Sequence, residues 1–303
     1  MFIAVAIMVL FAIVAAINPR FLGSNNLATI FSGNAYIAVA AIGMSLVIMT
    51  GHIDVSVGAL IGVLAVVAGT LAVAGYPMWV AWGAPLVLGL LVNGCLGAIV
   101  AYARVPSIVV TLGAMSILRG GLITATGGSW ISDLPPEFFL AQRQVLGLPV
   151  PLVTMVVLTI LAALWMKYSA FGRSIYAVGG NAEAAIATGL SVERRVVAVF
   201  MLHGVFAGIA AILFATQLTV IQSTVPPNLE LTVITAAVIG GVSILGGSGT
   251  VVGSTLAAVL FAAIGSAMIF VNVSAYWLRA VIGLLILITV LADVLQRRAR
   301  ADR

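Results

Sequence analysis

Side chains able to do chemistry are few in this 303-residue chain, and their spacing assembles none of them into a catalytic set. The two histidines, His52 and His203, lie far apart and form no metal motif. Cys95 is the only cysteine, so neither an internal disulfide nor a cysteine metal cluster can form. No nucleophile–base pair and no paired-carboxylate motif is visible, so no catalytic residue is assigned. The single lysine, Lys167, is followed by Tyr168. That excludes a Gly-x-x-x-x-Gly-Lys-Ser/Thr phosphate loop. If ATP and Mg drive this protein, another subunit binds them.

The remaining polar candidates sit among apolar residues. Asp54 belongs to a helix-junction motif, Gly51-His-Ile-Asp-Val-Ser-Val-Gly58, whose marked positions are Gly51, Asp54, Ser56 and Gly58. An acid at membrane depth lines a pathway or pairs with an arginine by default. The same residue type also caps a helix starting near Val55, with Ser56 assisting. If Asp54 only caps, Asp54→Asn keeps most of the activity. Asn34, Asn93, Thr111 and Gln217 are candidate lining for a hydrophilic path, and each equally suits hydrogen bonding between membrane helices. His203 can titrate, but no carboxylate neighbour is visible in the sequence. Arg119, late in an apolar run, is expected to reach up to the outer interface.

These residues need elements to hold them, and composition says which kind. The chain is 63% hydrophobic and 7% charged, against about 25% charged in soluble domains. Apolar runs of membrane-spanning length recur. They predict spans near 2–17, 33–50, 57–74, 79–101, 106–125, 150–167, 196–220, 231–247, 251–271 and 277–295. The fold class is therefore all-α: a polytopic membrane helix bundle of about ten transmembrane helices, some short or broken, in one domain covering 1–303. Phe2 to Ile17 reads as a first membrane helix rather than a signal peptide, because it lacks a basic leader.

The net charge of +5 speaks of orientation and not of nucleic acid. Arg104, the segment 167–195 and the tail arginines Arg297, Arg298, Arg300 and Arg303 belong on the cytoplasmic side. Both termini then lie inside, with 126–149 as a periplasmic loop; Arg20 and Arg143 are lone outside exceptions. Lipid is a partner throughout. The Gly51–Gly58 junction has an echo at Gly246-Gly-Ser-Gly-Thr-Val-Val-Gly253. Transporters carry such repeats, and small-residue packing alone also enriches glycine.

The polar stretch 168–195 interrupts the apolar pattern. Asn181 suits an N-cap, Glu183 suits the first turn, and Ala182, Ala184, Ala185 and Ala187 favour helix. Gly189 suits the stop. A helix over 182–188 is predicted, and Ser191 is expected to cap the membrane helix that follows. A short, smooth helix of this kind can seat in a partner's groove and transmit motion. It equally fits a plain connector, since long loops are not always functional.

The chain resembles the permease subunits of bacterial ABC sugar importers of the ribose type, whose relatives handle ribose, xylose, galactose, rhamnose and autoinducer-2. The resemblance runs from Asn18-Pro-Arg-Phe-Leu-Gly-Ser-Asn-Asn-Leu27 through Gly51–Gly58 and Val105-Pro-Ser-Ile-Val-Val-Thr-Leu-Gly113. It is strongest over Phe171–Ala185 with Gly189, and closes at Ala236–Thr250. Relatives often read Gly-Gly-Ile-Asp-Leu-Ser-Val-Gly where this chain has His52 and Val55. The resemblance implies a second permease subunit, identical or homologous, an ABC ATPase docked inside that binds ATP and Mg, and a periplasmic substrate-binding protein docked outside. It also implies that 179–189 is the coupling helix, with Gly172, Arg173, Gly179, Gly180, Asn181, Glu183, Ala184, Ala185 and Gly189 at the ATPase contact. The implied cargo is a small sugar or sugar-like solute. The rival is a secondary transporter driven by an ion gradient, which would need membrane-embedded ionisable groups. A membrane enzyme is the third class.

Overall fold

The computed structural model describes residues 2–224, 228–278, 280–285, 287 and 291. They form α1 (Phe2–Ile17), α2 (Ser24–Ser32), α3 (Ala35–Met49), α4 (Val57–Val73), α5 (Met78–Tyr102), α6 (Ser107–Thr126), α7 (Val150–Tyr168), α8 (Ala170–Gly180), α9 (Ala182–Ala187), α10 (Val192–Ala215), α11 (Leu229–Ile239) and α12 (Val251–Phe270). The fold class is all-α, as expected. Among the described residues, six helical runs are long and apolar enough to cross a membrane: Ser24–Met49, which joins α2 to α3, and α5, α6, α7, α10 and α12. Three shorter apolar helices, Ile3–Ile17, α4 and α11, complete the bundle. Of the expected span 277–295, residues 279, 286, 288–290 and 292–295 lie outside the described residues, as do the tail arginines 297, 298, 300 and 303.

α3 is the axis of the fold: fourteen of its residues, Ala35 and Ile37 through Met49, are buried. α10, α11 and α12 pack around it. Lipid is as apolar as leucine, so membrane helices associate by close packing of small residues. The α5–α10 crossing shows this. A Cβ on Gly204 would run into the Gly89 carbonyl, a Cβ on Gly97 would lie 2.6 Å from Phe200 Cβ, and one on Gly208 would lie 2.8 Å from the Pro85 carbonyl oxygen. Gly204→Val is expected to force α5 and α10 apart, at a cost above the usual overpacking range of about 1–3 kcal/mol, because the clash is with backbone. The check is the thermal midpoint of the detergent-solubilised chain, against Gly113→Ala, where the added methyl meets open space.

Several boundaries differ from the apolar runs. The expected span 33–50 begins at Ser24, because only the turn at Gly33 and Asn34 interrupts a continuous apolar stretch. The span expected at 196–220 is Val192–Ala215. The span expected at 231–247 stops at Ile239, where Gly241 takes a left-handed φ of 91°. Left-handed glycines then continue at Gly246 and Gly247, a run that no helix can contain. The segment 126–149 holds no long helix. It has two short 3₁₀ turns, Pro136–Phe138 and Leu140–Gln142, and a ladder pairing Gln144–Val145 with Leu148–Pro149.

α4 and α11 are broken elements whose N-termini abut. A Cβ on Gly58, the second residue of α4, would collide with the carboxylate of Glu230 and lie 2.9 Å from its backbone nitrogen. Helix N-termini carry partial positive charge, and an acid stands at each of these two: Asp54 before α4 and Glu230 in the first turn of α11.

Candidate functional site

The polar interruption is not a loop. α7 ends at Tyr168, Ser169 caps α8 by accepting the Gly172 N–H at 2.8 Å, and α8 runs to Gly180. Propensity argues against helix across Gly172, Gly179 and Gly180. Packing overrides it, because two of these glycines stand where backbone presses on backbone. A Cβ on Gly172 would lie 2.6 Å from the Met166 carbonyl oxygen. Asn181 then serves both helices: it ends α8, and its Oδ1 accepts the Ala184 N–H at 2.9 Å to open α9. Glu183 sits in the first turn of α9. Gly189 follows with φ 83°. Ala185 is buried, while Asn181, Glu183, Ala184, Ile186 and Gly189 face outward. Ser191 precedes α10 but makes no side-chain cap bond. Arg173 is exposed and donates to the Tyr168 carbonyl at 2.9 Å.

Three glycine segments far apart in sequence meet at the end of α8. A Cβ on Gly179 would fall inside the Met49 carbonyl oxygen and lie 2.7 Å from Gly247 N. Gly247 itself donates to that Met49 carbonyl at 2.9 Å. A Cβ on Gly246 would lie 2.9 Å from both Gly179 O and Gly51 N. Tyr176 Oη donates to the Gly249 carbonyl at 3.1 Å, and burial pushes the Tyr176 phenol up. The two similar junctions at 51–58 and 246–253 therefore touch each other, and α8 touches the second of them and Met49, just before the first. Gly180 differs from Gly179: a Cβ there would meet only Gly247 Cα, at 4.0 Å.

Beside this contact lies a cavity of about 580 Å³, lined among others by His52, Arg104, Ser107, Val178, Ile186 and Glu193. Arg104 has a left-handed φ of 55°, uncommon for its residue type. Burial pushes the His52 imidazole down, toward the neutral form.

Within the first junction, Asp54 is fully buried. Its Oδ1 accepts the Ser56 N–H at 2.8 Å and the Ser56 hydroxyl at 2.5 Å; its Oδ2 accepts from Asn93 Nδ2 at 3.1 Å and stands 3.4 Å from His203 Nε2. Thr111 Oγ1 accepts the Val55 N–H at 3.1 Å, and Ser107 Oγ accepts the Ile53 N–H at 3.1 Å. The stretch 53–56 is thus pinned to α5, α6 and α10. Asp54 does not cap a helix at Val55: α4 starts at Val57, and Asp54 bonds the turn that precedes it.

Of the candidate path residues, Asn93 and Thr111 come together here. Asn34 lies between α2 and α3 without a cap bond, and Gln217 lies beyond α10, where its carbonyl accepts from Gln142 at 3.4 Å. His203, Ser107 and the pair Arg119–Glu230 were not singled out as partners. Arg119 does not reach for the interface; its Nη2 lies 2.8 Å from Glu230 Oε1. A carboxylate 149 residues before His203, or 111 after Arg119, leaves no local signal. Among the described residues, no group of three or more His, Cys, Asp or Glu gathers to hold a metal.

Residues 26–290 match a family model described as branched-chain amino acid transport system / permease component. The chain is similar to autoinducer 2 import system permease proteins named LsrC. The Shigella flexneri protein is 37% identical over 95% of this chain and 84% of its own length. The Salmonella typhi protein is 36% identical over 98% of this chain and 88% of its own length. No solved structure matches the chain.

Proposed function

We infer the function from one premise: the chain belongs to the permease-component family of branched-chain amino acid transport systems, and it is a permease of an ABC-type importer spanning the bacterial inner membrane many times. Its relatives' permease role makes it a transport subunit and not an enzyme. The cargo is a small sugar or sugar-like solute; the relatives are named for the import of autoinducer 2. A separate ABC ATPase binds ATP and Mg at the cytoplasmic face, a periplasmic binding protein delivers the solute, and a second permease subunit, identical or homologous, completes the path. Both termini and the α8–α9 segment lie on the cytoplasmic side, in keeping with Arg104, Lys167, Arg173, Arg194 and Arg195 gathering there.

The observation that carries the coupling role is the backbone contact of α8 with the end of α3 at Met49 and with the turn at Gly246 and Gly247. α9 offers an exposed face to the ATPase. α8, continuous with it through Asn181, lies against Met49 at the end of α3 and Gly247 before α12. Motion of α9 thereby reaches α3, α4, α11 and α12 without passing through flexible side chains. The Asp54 pin keeps the junction moving with α5, α6 and α10.

The test is reconstitution with the cognate ATPase and binding protein in proteoliposomes. Uptake is expected only with all components and ATP, and vanadate should block it. Uptake by this chain alone, driven by an ion gradient, would sink the reading and favour a secondary transporter.

A further inference from the structure

We propose that the Arg119–Glu230 pair is a solute-contacting station in the translocation path, built for a neutral polyhydroxylated molecule. This rests on the importer reading. Arg119 stands twelve residues into α6, about 18 Å along it from the cytoplasmic start and about 10 Å short of its outer end. Its side chain is 38% exposed, although its partner Glu230 is only 8% exposed. An arginine at that depth open to lipid is costly, so the open edge of the guanidinium faces water or protein.

The pair is also under-used. Arg119 donates to Glu230 Oε1, while Arg119 Nε and Glu230 Oε2 are buried and have no hydrogen-bond partner among the described residues. Leaving such groups unpaired costs free energy, and they mark a place where something else bonds or rearranges. Around them α6 is bare: Ser116 is exposed one turn away, and a Cβ added at Gly113, Gly120 or Gly121 would meet nothing within 4 Å. Open space beside a buried acid and a forked cation suits a vicinal diol. Guanidinium N–H groups donate to hydroxyl oxygens, and the carboxylate accepts from hydroxyl O–H groups. The pair carries no net charge, so it holds the solute without retaining an ion. Glu230 also sits where α11 meets α4 at Gly58, so a solute engaging it sits at the joint between the two broken helices.

Two arms test this in the assembled transporter. Ser116→Cys in a Cys95→Ser background is expected to react with a membrane-impermeant methanethiosulfonate at least 10-fold faster than Leu161→Cys on the exposed face of α7. The double variant Arg119→Gln/Glu230→Gln keeps a hydrogen-bonded tie between α6 and α11 and removes both charges. Autoinducer 2 and tritiated ribose, xylose, galactose and rhamnose are the probes, and binding-protein-stimulated ATP hydrolysis is measured beside uptake. Uptake per ATP should fall at least 10-fold, and Arg119→Lys should fall between the two. Labelling of Ser116→Cys no faster than Leu161→Cys, or a double variant with wild-type uptake per ATP, overturns the station. Wild-type assemblies that take up no probe with ATP overturn the importer reading instead, while the labelling arm still reads whether water reaches α6.

Discussion

Gly179→Val is expected to abolish ATP-driven uptake while the chain still inserts in the membrane. Any side chain at 179 must displace the Met49 carbonyl, and with it the Gly247 N–H that bonds that oxygen at 2.9 Å. Backbone does not yield as a side-chain tip does, so overpacking here exceeds the usual cost of about 1–3 kcal/mol. The contact opens, and α8 separates from α3 and the turn before α12. Binding-protein-stimulated hydrolysis by the co-reconstituted ATPase should fall at least tenfold with uptake. Gly180→Ala is the control: its added methyl is at van der Waals distance, and activity should stay near wild type. Equal loss in both variants would show that the glycines serve helix ends generally and not this contact.

The second large effect is at Asp54. Asp54→Ala strands the Ser56 hydroxyl, the Asn93 amide and the His203 imidazole in a fully buried place. Breaking a buried charged network from one side costs about 3–5 kcal/mol. That corresponds to a loss on the order of 10 °C in thermal midpoint for a chain of this size. Asp54→Asn behaves differently. Its carbonyl still accepts from Ser56, and its NH₂ can donate to Asn93 Oδ1, which has no partner now, once the Asn93 amide turns over. It should keep most of the stability and uptake. Thermal melts of both variants in detergent check this, and a full-strength Asp54→Ala protein would remove the pin from the account.

Some of this is legible in the sequence alone. The cap at Asn181 and the stop at Gly189 follow from side-chain chemistry within three or four residues, and the helix expected over 182–188 differs from α9, Ala182–Ala187, by one residue. α8 was illegible for the opposite reason. Its glycines oppose helix locally, and only their contacts with Met166 and Met49 explain why a helix persists. The end of α11 was missed because residues 240–247 remain apolar while the left-handed glycines break the helix. Asp54 was visible as a polar residue in an oily chain, but its partner His203 is an unremarkable residue of α10 until the chain folds. For Arg119 the sequence offered only the interface, since Glu230 lies on another helix.

Asn181 has a mechanical consequence of its own. α8 is clamped by backbone contacts and α9 is open on most of its surface, yet a single residue closes one helix and opens the other. Compliance is thus concentrated in two torsions, φ and ψ of Asn181, now at −159° and 102°. In the coupling role proposed for α9, a stroke delivered to it would either rotate about that one residue and be lost, or move the whole bundle. The Oδ1 bond to Ala184 is the spring that decides between them.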